Sequence, residues 1–204
     1  MNARALSRVV CAAILAASCA SQPQEVLLAP SKPGPKVLRA IALPNAGFEE
    51  PMRPGARCAP GWECLMHNDP NSFRFFQEQG GSAGAQSFCI EGAGKEPWGT
   101  LDQAMHDIAA VRGAHVRFSA SVKLDSVIGQ GAGPVIIAQG GSGQTLLAAR
   151  NLAAGNRGWE RVEVELDVPQ GTFMLEVGVL LLGRGKVCVD DARLEVLAPA
   201  SGPV

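Results

Sequence analysis

Strict alternation of apolar and polar side chains is the clearest pattern along this chain. Between Ala114 and Asp125 an apolar side chain occupies every second position, and the same period of two recurs at 161–168 and 173–182. Successive side chains of a strand point to opposite faces, so this period predicts strands with one face on a core and one in water. Leu180 and Leu182 add apolar surface to the reverse face, which predicts that this strand is covered on both sides.

Shorter strands are predicted elsewhere in the chain. The glycine-rich stretches 129–133 and 140–143 are interpreted as hairpin turns. A short helix is predicted only over Gln103–Val111. Many short strands with at most one short helix predict an all-β fold, an antiparallel β-sandwich or jelly roll. The shorter strands are Phe73–Gln77, Ser87–Glu91, Pro134–Gln139 and Gln144–Arg150.

The last predicted strand changes its alternation partway along. Val187 and Val189 are apolar at odd positions, whereas Leu194 and Val196 are apolar at even ones. A β-bulge at 190–193 would bring both pairs to the core face. It would also turn one of the two adjacent aspartates there away from its ladder.

The first residues are typical of an export signal. Arg4 and Arg8 precede the apolar run Val9–Ala17, and small residues follow it. A bilayer-spanning helix needs about 20 apolar residues, so this run predicts a signal peptide over residues 1–18 and not a membrane span.

Two modes of signal cleavage are open. The segment 15–19, Leu-Ala-Ala-Ser-Cys, resembles a bacterial lipoprotein signal, which implies lipidation of Cys19 and a lipid anchor in the cell envelope, at the outer membrane where two membranes are present. The alternative is ordinary cleavage after Ala20, which releases a soluble secreted protein. Residues 19–36 are rich in proline and predict an extended tether.

The remaining chain predicts one β-sandwich domain over residues 37–197 and a flexible tail over 198–204. Without residues 1–18 the chain carries 16 basic and 19 acidic side chains. No segment concentrates lysine and arginine, so the basic footprint of a nucleic-acid-binding protein is missing from the sequence.

Four cysteines remain once Cys11 leaves with the signal and Cys19 is assigned to lipid. An even number in an exported protein indicates disulfides, and four cysteines allow three pairings. The pairing Cys58–Cys64 is favoured because a short turn-rich segment separates the two. The pairing Cys89–Cys188 is favoured because each lies between two apolar residues and therefore off the core face of its strand.

Five short motifs stand out along the chain: Asn45–Glu49, Pro60-Gly61-Trp62, Gly158-Trp159, Val168-Pro169 and Val187–Glu195. They resemble motifs of the galactose-binding-like jelly rolls, a group that includes many bacterial carbohydrate-binding modules. The resemblance implies a structural calcium where the first and last strands meet, held by Glu49 and by Asp190 or Asp191. The alternative is that these carboxylates are solvated strand ends.

The sugar chemistry implied by that resemblance needs an aromatic platform flanked by polar groups. Trp98 is the best candidate platform, with Glu96, Asp102 and Gln103 as its polar neighbours. The alternative for Trp98 is a packing role in its loop.

The sequence contains no zinc-binding His-Glu-x-x-His pair and no phosphate loop, and no enzyme is predicted. Two function classes remain. One is a non-catalytic envelope lipoprotein that binds a glycan or another envelope ligand, and the other is a structural or protein-interaction lipoprotein with no small-molecule ligand.

Overall fold

A computed structural model describes residues 35–198 of the chain. The predicted signal, Cys19 with its predicted lipidation, nearly all of the predicted tether and residues 199–204 lie outside this range. None of the described residues belongs to a helix long and apolar enough to cross a membrane. The described part folds into eight strands: β1 (Val37–Ile41), β2 (Glu63–Met66), β3 (Phe73–Gln79), β4 (Gln86–Met105), β5 (His115–Gln139), β6 (Thr145–Arg150), β7 (Ala153–Asp167) and β8 (Met174–Leu197).

The predicted antiparallel β-sandwich is confirmed, and it is built from one curled sheet. All strand pairs are antiparallel, and the three long strands β4, β5 and β8 run side by side through the whole sheet. The first layer of the sandwich contains one half of each long strand together with β2 and β6. Its strand order is β2-β4-β8-β5-β6. The second layer contains the other halves of the long strands. There β3 pairs with β4, β7 pairs with β5, and β1 pairs with the C-terminal end of β8.

Glycine bends let each long strand pass from one layer to the other. Gly129, Gly131 and Gly133 adopt φ angles of 121°, 112° and 156°, which L-residues with a Cβ rarely adopt. A Cβ at Gly129 would lie 2.6 Å from the carbonyl oxygen of Leu182 on the adjacent strand. The interpretation of 129–133 as a hairpin turn was therefore wrong: this stretch lies inside β5, and predicted strand Pro134–Gln139 is the continuation of the same strand.

The alternating apolar positions form one core between the layers. Phe118 of β5, Leu101 of β4 and Val177 of β8 are completely buried, as the period of two predicts. The short helix predicted over Gln103–Val111 is not formed. Residues 103–105 end β4, and turns connect them to β5.

The predicted bulge in β8 is confirmed. Ser121 of β5 pairs with Asp190 and Ser119 pairs with Arg193, so β8 has one extra residue between these two pairs. Asp191 takes a φ of 48° there. The extra residue restores the alternation, and Val189 and Leu194 are both buried.

Both predicted disulfides are present. Cys58 is bonded to Cys64 across a separation of 6 residues. Cys89 is bonded to Cys188, its direct partner in the pairing of β4 with β8, across a separation of 99 residues. The second bond ties the two long strands together in the middle of the sheet.

Candidate ligand-binding groove

The first layer carries a groove of about 420 Å³ on the face that points away from the core. Along β4, Leu101 points into the core, so its neighbours at even positions point to the groove. β8 alternates in the same way, with Val177 and Val179 in the core. The lining consists of Trp98, Thr100 and Asp102 of β4, Glu176, Leu180 and Leu182 of β8, Val135, Ile137 and Gln139 of β5, Leu65 of β2 and Arg150 of β6.

An aromatic and aliphatic surface forms one end of the groove. Trp98 pairs directly with Leu182, and its indole remains half-buried. The His67 ring meets the indole edge-on, with 6.2 Å between ring centroids. A flat apolar surface beside polar groups is the arrangement on which a sugar ring stacks.

Glu96 supports this end of the groove without lining it. Its Oε2 atom lies 2.7 Å from Nδ1 of His67, and its Oε1 atom accepts a hydrogen bond from the Asp69 amide. Both carboxylate oxygens therefore have partners within the protein. Glu96 holds the imidazole that contacts Trp98.

A buried carboxyl group lies at the centre of the groove. Asp102 is only 5% exposed, and its pKa is raised to about 7, mainly by this burial. The neighbouring charges of Glu176 and Glu63 contribute to that value, and the Thr100 hydroxyl, 3.4 Å from Oδ2, offsets part of the shift.

Glu176 is the second carboxyl group of this centre. Gln139 donates a 2.6 Å hydrogen bond from Nε2 to Oε1 of Glu176. Burial raises the pKa of Glu176 and the charge of Glu63 adds to it, although the Gln139 hydrogen bond acts in the opposite direction. Carboxyl and amide groups thus line the groove next to its apolar surface, a combination that hydrogen-bonds hydroxyl groups.

Gln103 lies on the opposite face of β4. It is 6% exposed and donates a 2.7 Å hydrogen bond to the Pro44 carbonyl oxygen. Trp98 and Asp102 thus both line the groove. Gln103 does not, and its hydrogen bond instead holds the segment around Pro44, before β2, against β4.

The predicted calcium ligands separate into two groups. Asp190 is completely buried and accepts hydrogen bonds from the amides of Ala83 (2.8 Å) and Asp191 (2.6 Å). Glu49 accepts hydrogen bonds from the next amides of the same β3–β4 hairpin loop, those of Ala85 (2.9 Å) and Gln86 (3.1 Å).

Asp191, in contrast, points to two arginines. Its Oδ2 atom lies 2.7 Å from Arg161 Nη1 and 2.8 Å from Arg193 Nη2. The bulge therefore directs one aspartate to the hairpin loop and the other to these cations.

One geometric cluster of three candidate metal ligands occurs within residues 35–198. It consists of Glu78, Cys89 and Cys188. Both cysteines are consumed by their disulfide, and Glu78 pairs with Lys186 at 3.1 Å. This cluster has no free thiolate to offer a metal.

Several groove residues were not identified from the sequence. Glu176, Gln139 and Arg150 come from three different strands, and only the strand pairing brings them into one groove with Asp102. The apolar Leu180 and Leu182 on the reverse face of β8 were interpreted as the sign of a strand covered on both sides, whereas in the structure they line the groove.

Comparisons with known proteins agree with the fold. No family model matches the sequence, and no curated protein matches it. The CBM22-1 xylan-binding domain from Paenibacillus barcinonensis is similar in structure, with a TM-score of 0.55 and 17% identity over 81% of this chain and 97% of that one.

Two further modules of family 22 show the same likeness. A xylan-binding domain from this family has a TM-score of 0.53 and 14% identity, with 82% of this chain and 99% of that one covered. The C-terminal family 22 carbohydrate-binding module of a Clostridium thermocellum protein has a TM-score of 0.51 and 15% identity, with 80% and 95% covered. The resemblance to carbohydrate-binding jelly rolls predicted from the sequence is thus confirmed at the level of the fold.

Proposed function

We propose that this chain is a non-catalytic glycan-binding module, carried by an exported lipoprotein of the bacterial cell envelope. The observation that carries the proposal is the groove, in which the half-buried Trp98 and Leu182 adjoin the hydrogen-bonding groups of Asp102, Glu176 and Gln139. Sugar rings present apolar faces and hydroxyl edges, and the groove offers a partner for each. The similarity to modules described as xylan-binding supports the same class of ligand.

A glycan array tests the proposal directly. The chain expressed from residue 20 onward is applied to plant and bacterial polysaccharides, and the polysaccharides retained are titrated by calorimetry. Trp98→Ala should weaken binding about 5- to 30-fold, because the stacking of a sugar ring on an aromatic side chain contributes about 1–2 kcal/mol.

Trp159→Ala is the matched control, since Trp159 is equally half-buried but lies on β7, outside the groove. Binding of no glycan, or equal affinity of the Trp98 variant, would contradict the proposal and favour the structural or protein-interaction lipoprotein.

The lipid anchor is proposed on the sequence of residues 15–19. Lipidation of Cys19 would tether the sandwich to the envelope through the proline-rich segment 20–36. Cys19→Ser should move the protein from the membrane fraction to the soluble fraction, and mass spectrometry of the native protein should detect the added acyl chains. Unchanged partitioning with an unmodified N-terminus would indicate the secreted soluble form.

A structural calcium at the β3–β4 hairpin loop is proposed as well. Asp190 and Glu49 flank this loop, and neither pairs with a basic side chain in the part of the chain that the structure describes. A buried carboxylate without a counter-ion is a suitable oxygen ligand for a hard cation, which would supply the missing positive charge.

The two carboxylates would bind calcium together with carbonyl oxygens or water. Calcium should raise the melting temperature and chelator should lower it, and Asp190→Asn should abolish the difference. Asp191→Asn is the control, because Asp191 pairs with arginines instead. An identical melting temperature with calcium and with chelator would rule the site out.

A further inference from the structure

The groove is acidic at its centre. Asp102 pairs in register with Glu63 of β2 on one side, and Glu176 of β8 lies close enough on the other to affect its ionisation. The cationic member of the lining is Arg150, at the β6 edge, and both β8 and β5 separate β6 from β4 in the sheet order. A ligand across the middle of the groove therefore meets the carboxyl groups of Asp102 and Glu176 before it meets a guanidinium, and Glu63 adds negative charge from the adjacent strand.

Asp102 has an unused hydrogen-bonding atom that faces this space. Its Oδ2 atom has a 3.4 Å contact with the Thr100 hydroxyl, but that hydroxyl lies nearer to the Val179 carbonyl oxygen, at 3.2 Å. Its Oδ1 atom has no hydrogen-bond partner among residues 35–198 and keeps contact with solvent in the groove, although the residue as a whole is only 5% exposed. An accessible acceptor on a largely buried carboxyl group gains most from a donor that also carries positive charge.

We propose that the groove selects glycans that carry a free amino group, such as de-N-acetylated hexosamine chains, and binds them with the ammonium between Asp102 and Glu176. This inference rests on the proposed glycan binding and adds the chemical class of the ligand. Trp98 and Leu182 contact the apolar face of a sugar, and the carboxyl groups of Asp102 and Glu176 bind its amino group. Uronic acid chains are disfavoured, because their carboxylates would face groups of the same charge.

The ionisation of Asp102 provides a signature of this binding mode. With a pKa of about 7, the side chain holds a proton in most free molecules at pH 5.5, where the amine of a glucosamine chain is protonated as well. An ammonium beside it favours the charged form, so binding releases that proton to the buffer. The charged groups that influence this step are Glu63, Glu176 and Arg150.

The test compares matched oligosaccharides by calorimetry: a glucosamine hexamer, its N-acetylated counterpart and an oligogalacturonate, each in two buffers of different ionisation enthalpy at pH 5.5, where the sugar amine is already charged. We expect the amine-bearing hexamer to bind about tenfold or more tightly than the N-acetylated one, with proton release. Oligogalacturonate should bind least.

Asp102→Asn should remove both the amine preference and the proton release, while its melting curve reports on folding. Glu160→Gln, a change of equal charge on β7 outside the groove, should leave both intact, which separates groove recognition from general attraction of a polycation. If the glucosamine hexamer binds no more tightly than its N-acetylated counterpart, and the binding of uncharged chains still depends on Trp98, the amine preference is overturned but the proposed glycan binding is not. Absence of binding to every oligosaccharide here and on the array would overturn the proposed function as well.

Discussion

Gly178 of β8 pairs directly with Asp102 of β4, and a Cβ at position 178 would lie 2.7 Å from the Asp102 Cβ. Real Cβ atoms do not approach so closely, so only glycine lets the buried carboxyl group lie on the sheet at this point. The backbone of β8 thereby sets the position of the most perturbed acid of the groove.

Gly178→Ala should destabilise the protein and disturb the groove. The added methyl group forces β4 and β8 apart locally, at a cost of about 1–3 kcal/mol. Urea unfolding measures this loss, and glycan titration measures the effect on the groove. Gly158→Ala is the matched control, since nothing lies within 4 Å of a Cβ built there. An equal effect of the two variants would show that crowding at Asp102 is not the cause.

Asp102 should make stability depend on pH. Its pKa rises from 3.8 to about 7 on folding, so between these values the native state holds a proton that the unfolded chain has lost. Stability from this group is therefore lost as the pH rises from about 4 to about 7, by on the order of 3 kcal/mol.

The comparison that isolates this effect is the free energy of unfolding of Asp102→Asn minus that of the wild type. It should increase from pH 4 to pH 8, because the amide carries no charge to desolvate. Asp107→Asn, on an exposed turn after β4, should give a flat difference. A flat difference for Asp102→Asn as well would show that the carboxyl group ionises normally in the fold.

The fold was largely predictable from the sequence because its signals are local. The changed alternation between Val189 and Leu194 predicted the bulge, and the structure confirms it. Gly129–Gly133 misled the prediction because the same residue supplies positive φ angles to a turn and to a bend inside a strand.

The candidate site was predictable only in part, because its residues meet through strand pairing. Trp98 and Asp102 were grouped because they are close in sequence, and the structure shows that they share one face of β4. Gln103 was grouped with them for the same reason, but the alternation of the strand places it on the other face. Glu176 and Gln139 approach Asp102 only through the register of β8 and β5, which the alternation of single strands does not reveal.

The two disulfides should contribute unequally to stability. Cys89–Cys188 closes a loop of 99 residues and Cys58–Cys64 one of 6 residues. In the chain-entropy model these loops correspond to about 5 and about 2 kcal/mol. The double variants Cys89→Ala with Cys188→Ala and Cys58→Ala with Cys64→Ala test this by urea unfolding. A larger loss from the Cys58–Cys64 pair would mean that the entropy of the unfolded chain does not govern the difference.

His115 should give a second pH dependence, on the face of the sandwich away from the groove. Its Nε2 atom lies 2.9 Å from Glu165 and its Nδ1 atom 2.8 Å from Asp167. A neutral imidazole donates from one nitrogen only, whereas the protonated ring donates from both. Burial alone lowers the pKa of His115, but the hydrogen bonds and charges of the two carboxylates outweigh it and raise the pKa above 6.5.

The stability that His115 contributes is fully present below pH 6.5 and is lost as the pH rises through its raised pKa in the native state. His115→Gln should therefore be less stable than the wild type at pH 5.5, by under about 1 kcal/mol since Asp167 is exposed, and nearly equal to it at pH 9. His106→Gln, at an exposed turn, should show no such trend. A deficit that is unchanged at pH 9 would mean that packing, and not protonation, explains the loss. Asp102 changes stability mainly between about pH 4 and 7, whereas His115 does so above about pH 6.5, so the two single variants report on different, partly overlapping parts of the pH profile. Glycan affinity should change with Asp102→Asn but not with His115→Gln.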